Sequence, residues 1–235
     1  MGNAQEINQI ATIVKQDLAW LAVIHVVLRS DGEIENYAKC LLDNSDNLGF
    51  LKGTSETIQT KTITAFKKFK SYCNTNGFYK GVGHYLNESA ILHIDAILQE
   101  FLDKVYKYAN NRPMPQDKQS ISSKLKMYSE WPQINDMHTK KNVLFIAELR
   151  HVITHQNGIA NEKFLKAVTK KGLWDTEIWA TKEIFYKKYK GKDGRLNLSI
   201  SEVVIPYFSH AIDFVDELVN IVNKPKSVFL ENIRE

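Results

Sequence analysis

The stretch from residue 148 to residue 158 places several chemically active side chains on one short segment. Two imidazoles, His151 and His155, stand four positions apart, and Arg150 and Glu148 lie just before them. Histidine titrates near neutral pH, so it can accept and donate protons within one reaction. Arginine stays charged and can hold two phosphate oxygens at once. These residue types therefore predict acid–base chemistry next to a bound anion.

The segment is predicted to lie on one helix, which spans residues 136–155 and ends at Asn157-Gly158. A helix advances about 100° per residue, so Glu148, His151 and His155 share one face. Another face is apolar and is predicted to enter the core; its members are Phe145, Ile146, Leu149, Val152 and Ile153. Arg150 projects more than about a quarter-turn away from the histidines. Joint action then requires that the arginine wraps around the helix, or that a second copy of the helix faces the first.

Apolar side chains recur at helical spacing over most of the chain, which predicts an all-α protein. The predicted helices cover residues 5–28, 55–72, 84–110, 121–128, 136–155, 161–169 and 202–222. Residues 195–200 alternate at period two, so one short extended segment or hairpin is expected there. Only 11 glycines and 5 prolines occur, too few for a many-stranded β fold. His25 and His93 fall within apolar stretches and are expected to be packed in the core.

The chain has 31 basic and 27 acidic residues, and its net charge of +4 permits a polyanionic partner without requiring one. Its two cysteines, Cys40 and Cys73, match no metal-ligand spacing and no disulfide framework. The N-terminus lacks the basic start of a signal peptide, and the most apolar run, 18–28, is too short to span a bilayer. We therefore expect a cytoplasmic protein with no membrane segment.

The string E-L-R-H-V-I-T-H-Q-N-G at 148–158 resembles the signature of the HEPN superfamily, in which an arginine is followed after a short spacer by a histidine. Arg150 and His155 have four residues between them. His151 occupies the position that is commonly polar in the family, and Gly158 stands where many members have a glycine. The helix order is also similar, because residues 84–110 resemble the first long helix of the family. The segment 191–199, which precedes the last helix, is similar to the close of several members.

The resemblance covers about residues 84–225 and implies a HEPN-like four-helix bundle there. Residues 1–80 are expected to form an N-terminal helical extension and residues 226–235 a C-terminal tail. Whether the extension is a separate domain or adds layers to the bundle is left open by the sequence. The resemblance also implies a homodimer in which the motifs of two subunits face each other across a shared cleft.

The function that the resemblance implies is RNA cleavage without metal or other cofactor, in a toxin or an antiphage defence effector that acts by abortive infection. In such a reaction the ribose 2′-OH attacks the neighbouring phosphorus and leaves a 2′,3′-cyclic phosphate and a 5′-hydroxyl. His155 would serve as base or acid. Arg150 would stabilise the phosphorane, and His151 would orient the phosphate or share the proton transfer. Such a toxin implies an antitoxin or an activating partner protein.

Candidate RNA-binding residues follow the motif directly. Asn157, Lys163 and Lys166 are predicted to contact RNA, and more lysines alternate with aromatic residues between 170 and 192. Single-stranded RNA binding uses charge for the phosphates and rings for the bases. A solvated basic face above core aromatics produces the same pattern, so both interpretations stay open.

Other interpretations of the motif also remain. Taken singly, Arg150 and Glu148 are expected to be solvated or ion-paired groups, and His155 a solvated surface histidine. A zinc hydrolase could use His151 and His155 with Glu148 as third ligand, although the H-E-x-x-H pattern is absent. A HEPN-type module could also bind RNA or a partner protein without cutting, with the N-terminal helices as the docking surface.

Overall fold

The computed structural model describes residues 4–30, 53–76, 82–128, 130–156, 158–173 and 204–224. These residues form seven α-helices and no strand, which confirms the all-α prediction for this part of the chain. The helices are α1 (Ala4–Ser30), α2 (Glu56–Asn76), α3 (Val82–Asn110), α4 (Ile121–Leu125), α5 (Lys140–His155), α6 (Glu162–Lys170) and α7 (Ile205–Val222). Short 3-10 helices at Lys126–Tyr128 and Pro132–Asn135 join α4 to α5. The predicted extended segment at 195–200 and the predicted tail at 226–235 lie outside the described residues.

Four long helices, α1, α3, α5 and α7, enclose one core. α1 packs against α3 and α7, α5 packs against the same two helices, and α3 also contacts α7. α1 and α5 therefore lie on opposite sides of the α3–α7 pair. Phe101, Phe145 and Phe214 are fully buried between the helices. Burial of each such side chain stabilises the fold by roughly 1.5–3 kcal/mol.

The N-terminal stretch contributes one of these four helices. Ile7, Val14 and Leu18 recur on one side of α1 and are buried in the same core as the residues of α3 and α7. Lys15 forms an ion pair with Asp216 of α7 at 2.6 Å. α1 thus packs directly onto the bundle, whereas α2 adds no residue to this core among the side chains that are described.

α1 is also the one described helix whose length and composition would suffice to cross a membrane. The window Ala4–Leu28 has a mean hydropathy of 1.5, and 22% of it is buried. Core helices of soluble proteins pass the same test. The outer side of α1 exposes apolar residues, with Trp20 67% exposed and Val23 and Val27 about half exposed.

The two histidines that were expected in the core behave differently. His25 is buried and its ring lies 6.1 Å from that of Phe208, which confirms the prediction. The prediction is wrong for His93, which is exposed on α3 with its Nδ1 2.8 Å from the Ser89 carbonyl of its own helix. Buried apolar side chains at positions 91 and 94 take the inner face of α3, so position 93 faces solvent.

α4 fixes a lysine beside α3. Ser120 and Ser123 form a reciprocal capping box that starts this short helix. Lys124 is almost fully buried, and its ammonium contacts both carboxylate oxygens of Asp103 on α3, at 2.6 and 2.5 Å. The hydroxyl of the buried Tyr128 donates to the carbonyl of Leu102, also on α3. These bonds hold α4 against the side of α3 that the motif helix also contacts.

Candidate functional site

The motif helix α5 begins at Lys140 rather than at the predicted residue 136. The two residues just before it, His138 and Thr139, donate their N–H groups to a carboxylate from another helix. Glu217 of α7 accepts the His138 N–H at 3.0 Å, the Thr139 N–H at 3.1 Å and the Thr139 hydroxyl at 2.7 Å. A negative charge at a helix N-terminus also interacts favourably with the helix dipole. Glu217 therefore ties the segment that leads into α5 to α7.

Glu217→Gln is expected to lower the free energy of unfolding at neutral pH by about 1 kcal/mol, because the three hydrogen bonds lose a charged acceptor. Partial burial works to raise the pKa of Glu217, but the hydrogen bonds from Thr139 and His138 outweigh it and hold the pKa below its ordinary value of 4.5. A lowered pKa gives stability that is present above the unfolded-state pKa and is lost as pH falls through the folded-state value. The difference between wild type and variant should therefore shrink as pH falls below 4.5. Urea unfolding across this pH range measures it.

The matched control for this variant is Glu100→Gln, since Glu100 forms an exposed ion pair with Lys104 of its own helix, at 2.7 Å. Exposed pairs of this kind contribute at most about 1 kcal/mol and often nothing measurable. If the Glu217 variant is as stable as wild type at neutral pH, the hydrogen bonds from Thr139 and His138 to Glu217 do not stabilise the fold.

α5 ends as the sequence predicts. Gly158 has a φ of +74°, in the left-handed region that favours glycine. Its N–H and that of Gln156 both donate to the Val152 carbonyl, each at 3.0 Å. The turn after His155 is thereby held close to the last turn of the helix.

The predicted core face of α5 is confirmed almost completely. Phe145, Ile146, Leu149 and Val152 are buried, and Ile153 is half-buried at the edge of the core. The four buried side chains fix the rotation of α5 about its axis. Every other side chain of the motif takes its position from that rotation.

His151 and His155 lie together on the exposed face of α5. Their ring centroids are 4.9 Å apart and both rings are exposed. Glu148 lies on the same side but forms an ion pair with Lys171, which follows α6. Among the described residues no three His, Cys, Asp or Glu side chains come together in a way that could hold a metal ion. The pair is therefore open to solvent and to any macromolecule that covers this face.

Arg150 points towards α3 instead of towards the histidines. Its Nε lies 3.7 Å from Oδ2 of Asp95, whose side chain is only 3% exposed, while the arginine side chain stays 38% exposed. At this distance the contact is an ion pair and not a hydrogen bond. The same carboxylate oxygen accepts the Gln99 side-chain amide at 2.5 Å. The structure therefore places Arg150 and the two histidines on different sides of α5.

A cavity of about 450 Å³ opens beside Arg150. Its polar lining comes from three helices and consists of Asp95, Gln99, Glu100, Asp103, Lys124, Arg150 and Thr154. Neither His151 nor His155 lines it. An anion bound by Arg150 at the mouth of the cavity is separated from both histidines of the same chain by the width of α5. The histidines of a second chain could contact the same anion directly.

Asp95 is the most strongly desolvated group in this cavity. Burial raises the pKa of Asp95, and the hydrogen bond from Gln99 and the charges of Arg150 and Lys124 offset this rise only in part. The ionised carboxylate therefore depends on its neighbouring cations. Lys124 already contacts Asp103, so Arg150 is the cation in direct contact with Asp95.

The predicted RNA-binding lysines lie on α6. Lys163 and Lys166 are both exposed, and Lys166 is 3.4 Å from the carboxylate of Glu162. The Asn161 side chain caps α6 by accepting the N–H groups of Lys163 and Phe164. Asn157 and the lysine-rich segment after residue 173 lie outside the described residues.

The polar side of α3 is the part of the site that sequence reasoning misses. Asp95, Gln99 and Asp103 follow one another at intervals of four residues and so share one helix face. That spacing is visible in the sequence, next to the apolar stripe of α3. Their partners Arg150 and Lys124 are distant in the chain, so nothing local identifies them.

Comparisons of the chain with protein-family models, with curated proteins and with solved structures find no match. The assignment of a function therefore depends on the geometry of this site and on the motif itself.

Proposed function

We propose that this chain is a metal-independent endoribonuclease of HEPN type. The observation that supports it is the exposed pair His151 and His155 on α5. The half-exposed Arg150 directly precedes His151, and four residues separate it from His155. In the cell such an enzyme acts in the cytoplasm as a toxin or antiphage defence effector, held in check by an antitoxin or released by an activating partner.

The proposed reaction needs three groups around one phosphate. A base takes the proton of the ribose 2′-OH, and the oxygen attacks the adjacent phosphorus. An acid protonates the 5′-oxygen as its bond to phosphorus breaks, which leaves a 2′,3′-cyclic phosphate and a 5′-hydroxyl. His155 serves as one of these two groups and His151 as the second or as an orienting donor, because imidazole exchanges protons near neutral pH. Arg150 stabilises the charge that builds on the phosphorane.

In the proposed enzyme, a homodimer brings Arg150 and the histidines to the same phosphate. Arg150 and the histidines lie on different sides of α5, so one subunit does not direct all three at one point. A two-fold axis beside α5 would bring the arginine of one subunit towards the histidines of the other. His151 and His155 are exposed on α5, so a second subunit would meet them there. Lys163 and Lys166 would then contact flanking phosphates.

A non-catalytic module is the second candidate, and one observation favours it. The outer side of α1 exposes Trp20, Val23 and Val27, an apolar surface of the kind that marks protein interaction sites. In that case the ion pair between Arg150 and Asp95 would join two helices and the protein would bind a partner without cutting RNA.

Purified protein is incubated with total RNA and with transfer RNA in the presence of EDTA, and the fragment ends are analysed. We expect cleavage without added metal and fragments that end in 2′,3′-cyclic phosphate. Activity that disappears with EDTA and returns with zinc contradicts the metal-free reaction. Intact RNA, together with capture of a protein partner that α1 variants no longer bind, favours the non-catalytic module.

A further inference from the structure

Asp95 of α3 forms an ion pair with the Arg150 guanidinium. Oδ2 of Asp95 is 3.7 Å from Nε, the nitrogen within the arginine chain. A phosphate is gripped best by two guanidinium nitrogens at once. Among the described residues no hydrogen bond engages the terminal guanidinium nitrogens, so they can bind a ligand at the mouth of the cavity.

The carboxylate is itself fixed on α3. Its side chain is 3% exposed, and the Gln99 side-chain amide, one turn along the helix, donates to the same oxygen at 2.5 Å. Burial removes the alternative rotamers that an exposed aspartate samples. Arg150, at 38% exposure, has a flexible side chain that needs such a fixed contact to keep one direction.

The other charged residues of the cavity have partners of their own. Glu100 pairs with Lys104 of the same helix, and Asp103 pairs with Lys124. Lys124 lies 2.5–2.6 Å from the carboxylate oxygens of Asp103 and donates to the Gln99 carbonyl at 3.3 Å. The Lys124 ammonium is therefore bound to Asp103, one helical turn beyond Gln99 from Asp95. Asp95 remains as the carboxylate in direct contact with the motif arginine.

We propose that Asp95 is a positioning residue for Arg150: the buried carboxylate holds the guanidinium at the mouth of the cavity so that its terminal nitrogens meet the scissile phosphate. This inference rests on the proposed function, because it assigns a role in the same reaction. Gln99 supports the role by fixing the carboxylate. The substrate contact itself belongs to Arg150.

The test compares Asp95→Asn, Asp95→Glu and Arg150→Ala in steady-state RNA cleavage, with Asp216→Asn as the control. Asp216 takes part in a similar ion pair between helices, with Lys15, but on the α1 side of the bundle. We expect Asp95→Asn to lower kcat about 10- to 100-fold with a smaller change in KM, since misplacement of a catalytic group by about 1 Å has effects of this size. Asp95→Glu, which restores the carboxylate, should recover part of the rate. Asp216→Asn should cleave like wild type.

A double variant separates positioning from a merely structural ion pair. If Asp95 acts through Arg150, then Asp95→Asn lowers the rate no further once Arg150 is alanine. Losses that multiply, or a lower melting temperature with an unchanged kcat, overturn the inference. If Asp95→Asn does not fold, the partial activity of Asp95→Glu decides, and full wild-type activity there would argue against a positional requirement.

The same experiment distinguishes this inference from the proposed function. An Arg150→Ala variant without activity beside fully active Asp95 variants overturns the role of Asp95 alone. An Arg150→Ala variant with wild-type activity overturns both.

Discussion

Arg150→Ala is expected to lower the rate of RNA cleavage about 10²- to 10³-fold, the usual effect of removing one group that stabilises developing charge in a transition state. Arg150 is half-exposed beside the cavity. The loss should appear in kcat at a temperature where both proteins are folded. The melting temperature should also fall, because the buried Asp95 carboxylate loses the cation that contacts it. His155→Ala should lose about 10²- to 10⁴-fold, as expected for a general acid or base.

Two residues of this chain provide matched controls. Arg112 is an exposed arginine after α3 whose guanidinium lies 5.9 Å from the centre of the Tyr106 ring. His93 is an exposed histidine on α3. Arg112→Ala and His93→Ala should cleave RNA like wild type. Equal activity of the Arg150 and Arg112 variants would show that the motif arginine takes no part in the reaction.

Mixing two inactive variants is expected to restore cleavage. When Arg150→Ala and His155→Ala subunits are unfolded together and refolded at equal amounts, about half of the dimers contain one of each. If each site combines the arginine of one subunit with the histidines of the other, every mixed dimer has one intact site. The mixture should then show about a quarter of the wild-type activity.

The geometry of α5 is the reason for this expectation. Arg150 faces Asp95 on α3, whereas His151 and His155 project to solvent on another side. Refolding each variant alone provides the control, because neither contains a complete site. A mixture that stays as inactive as its two parents would show that arginine and histidine act within one subunit, and that Arg150 turns around α5 when RNA binds.

The helical periodicity of the sequence predicts much of this site. Apolar residues on one side of α5 had to enter the core, which fixed the rotation of the helix and left His151 and His155 on its exposed face. The same periodicity predicts the separation of Arg150 from the histidines. Gly158 marked the end of the helix because the left-handed conformation there favours glycine.

Long-range contacts account for what the sequence does not predict. The segment that leads into α5 is held by Glu217, which belongs to α7. Asp95 is recognisable as a site residue only once α3 and α5 are packed together, because its partner Arg150 is distant in the chain. His93 was expected in the core from its apolar neighbours, but those neighbours occupy the buried face and leave it outside. Each of these three features depends on how two helices pack together or on the rotation of one helix about its own axis.

The most direct test of the proposed reaction removes the nucleophile from the substrate. Two RNA oligonucleotides span a cleavage site found in total RNA, and one of them has a 2′-O-methyl group on the nucleotide that precedes the cut. Both are incubated with wild-type protein in EDTA. The proposed mechanism predicts that the unmodified strand is cut to a 2′,3′-cyclic phosphate and that the methylated strand stays intact at that position. Equal cleavage of both strands at that position would contradict attack by the 2′-OH, and with it the assignment of His155 and Arg150 to a metal-independent ribonuclease.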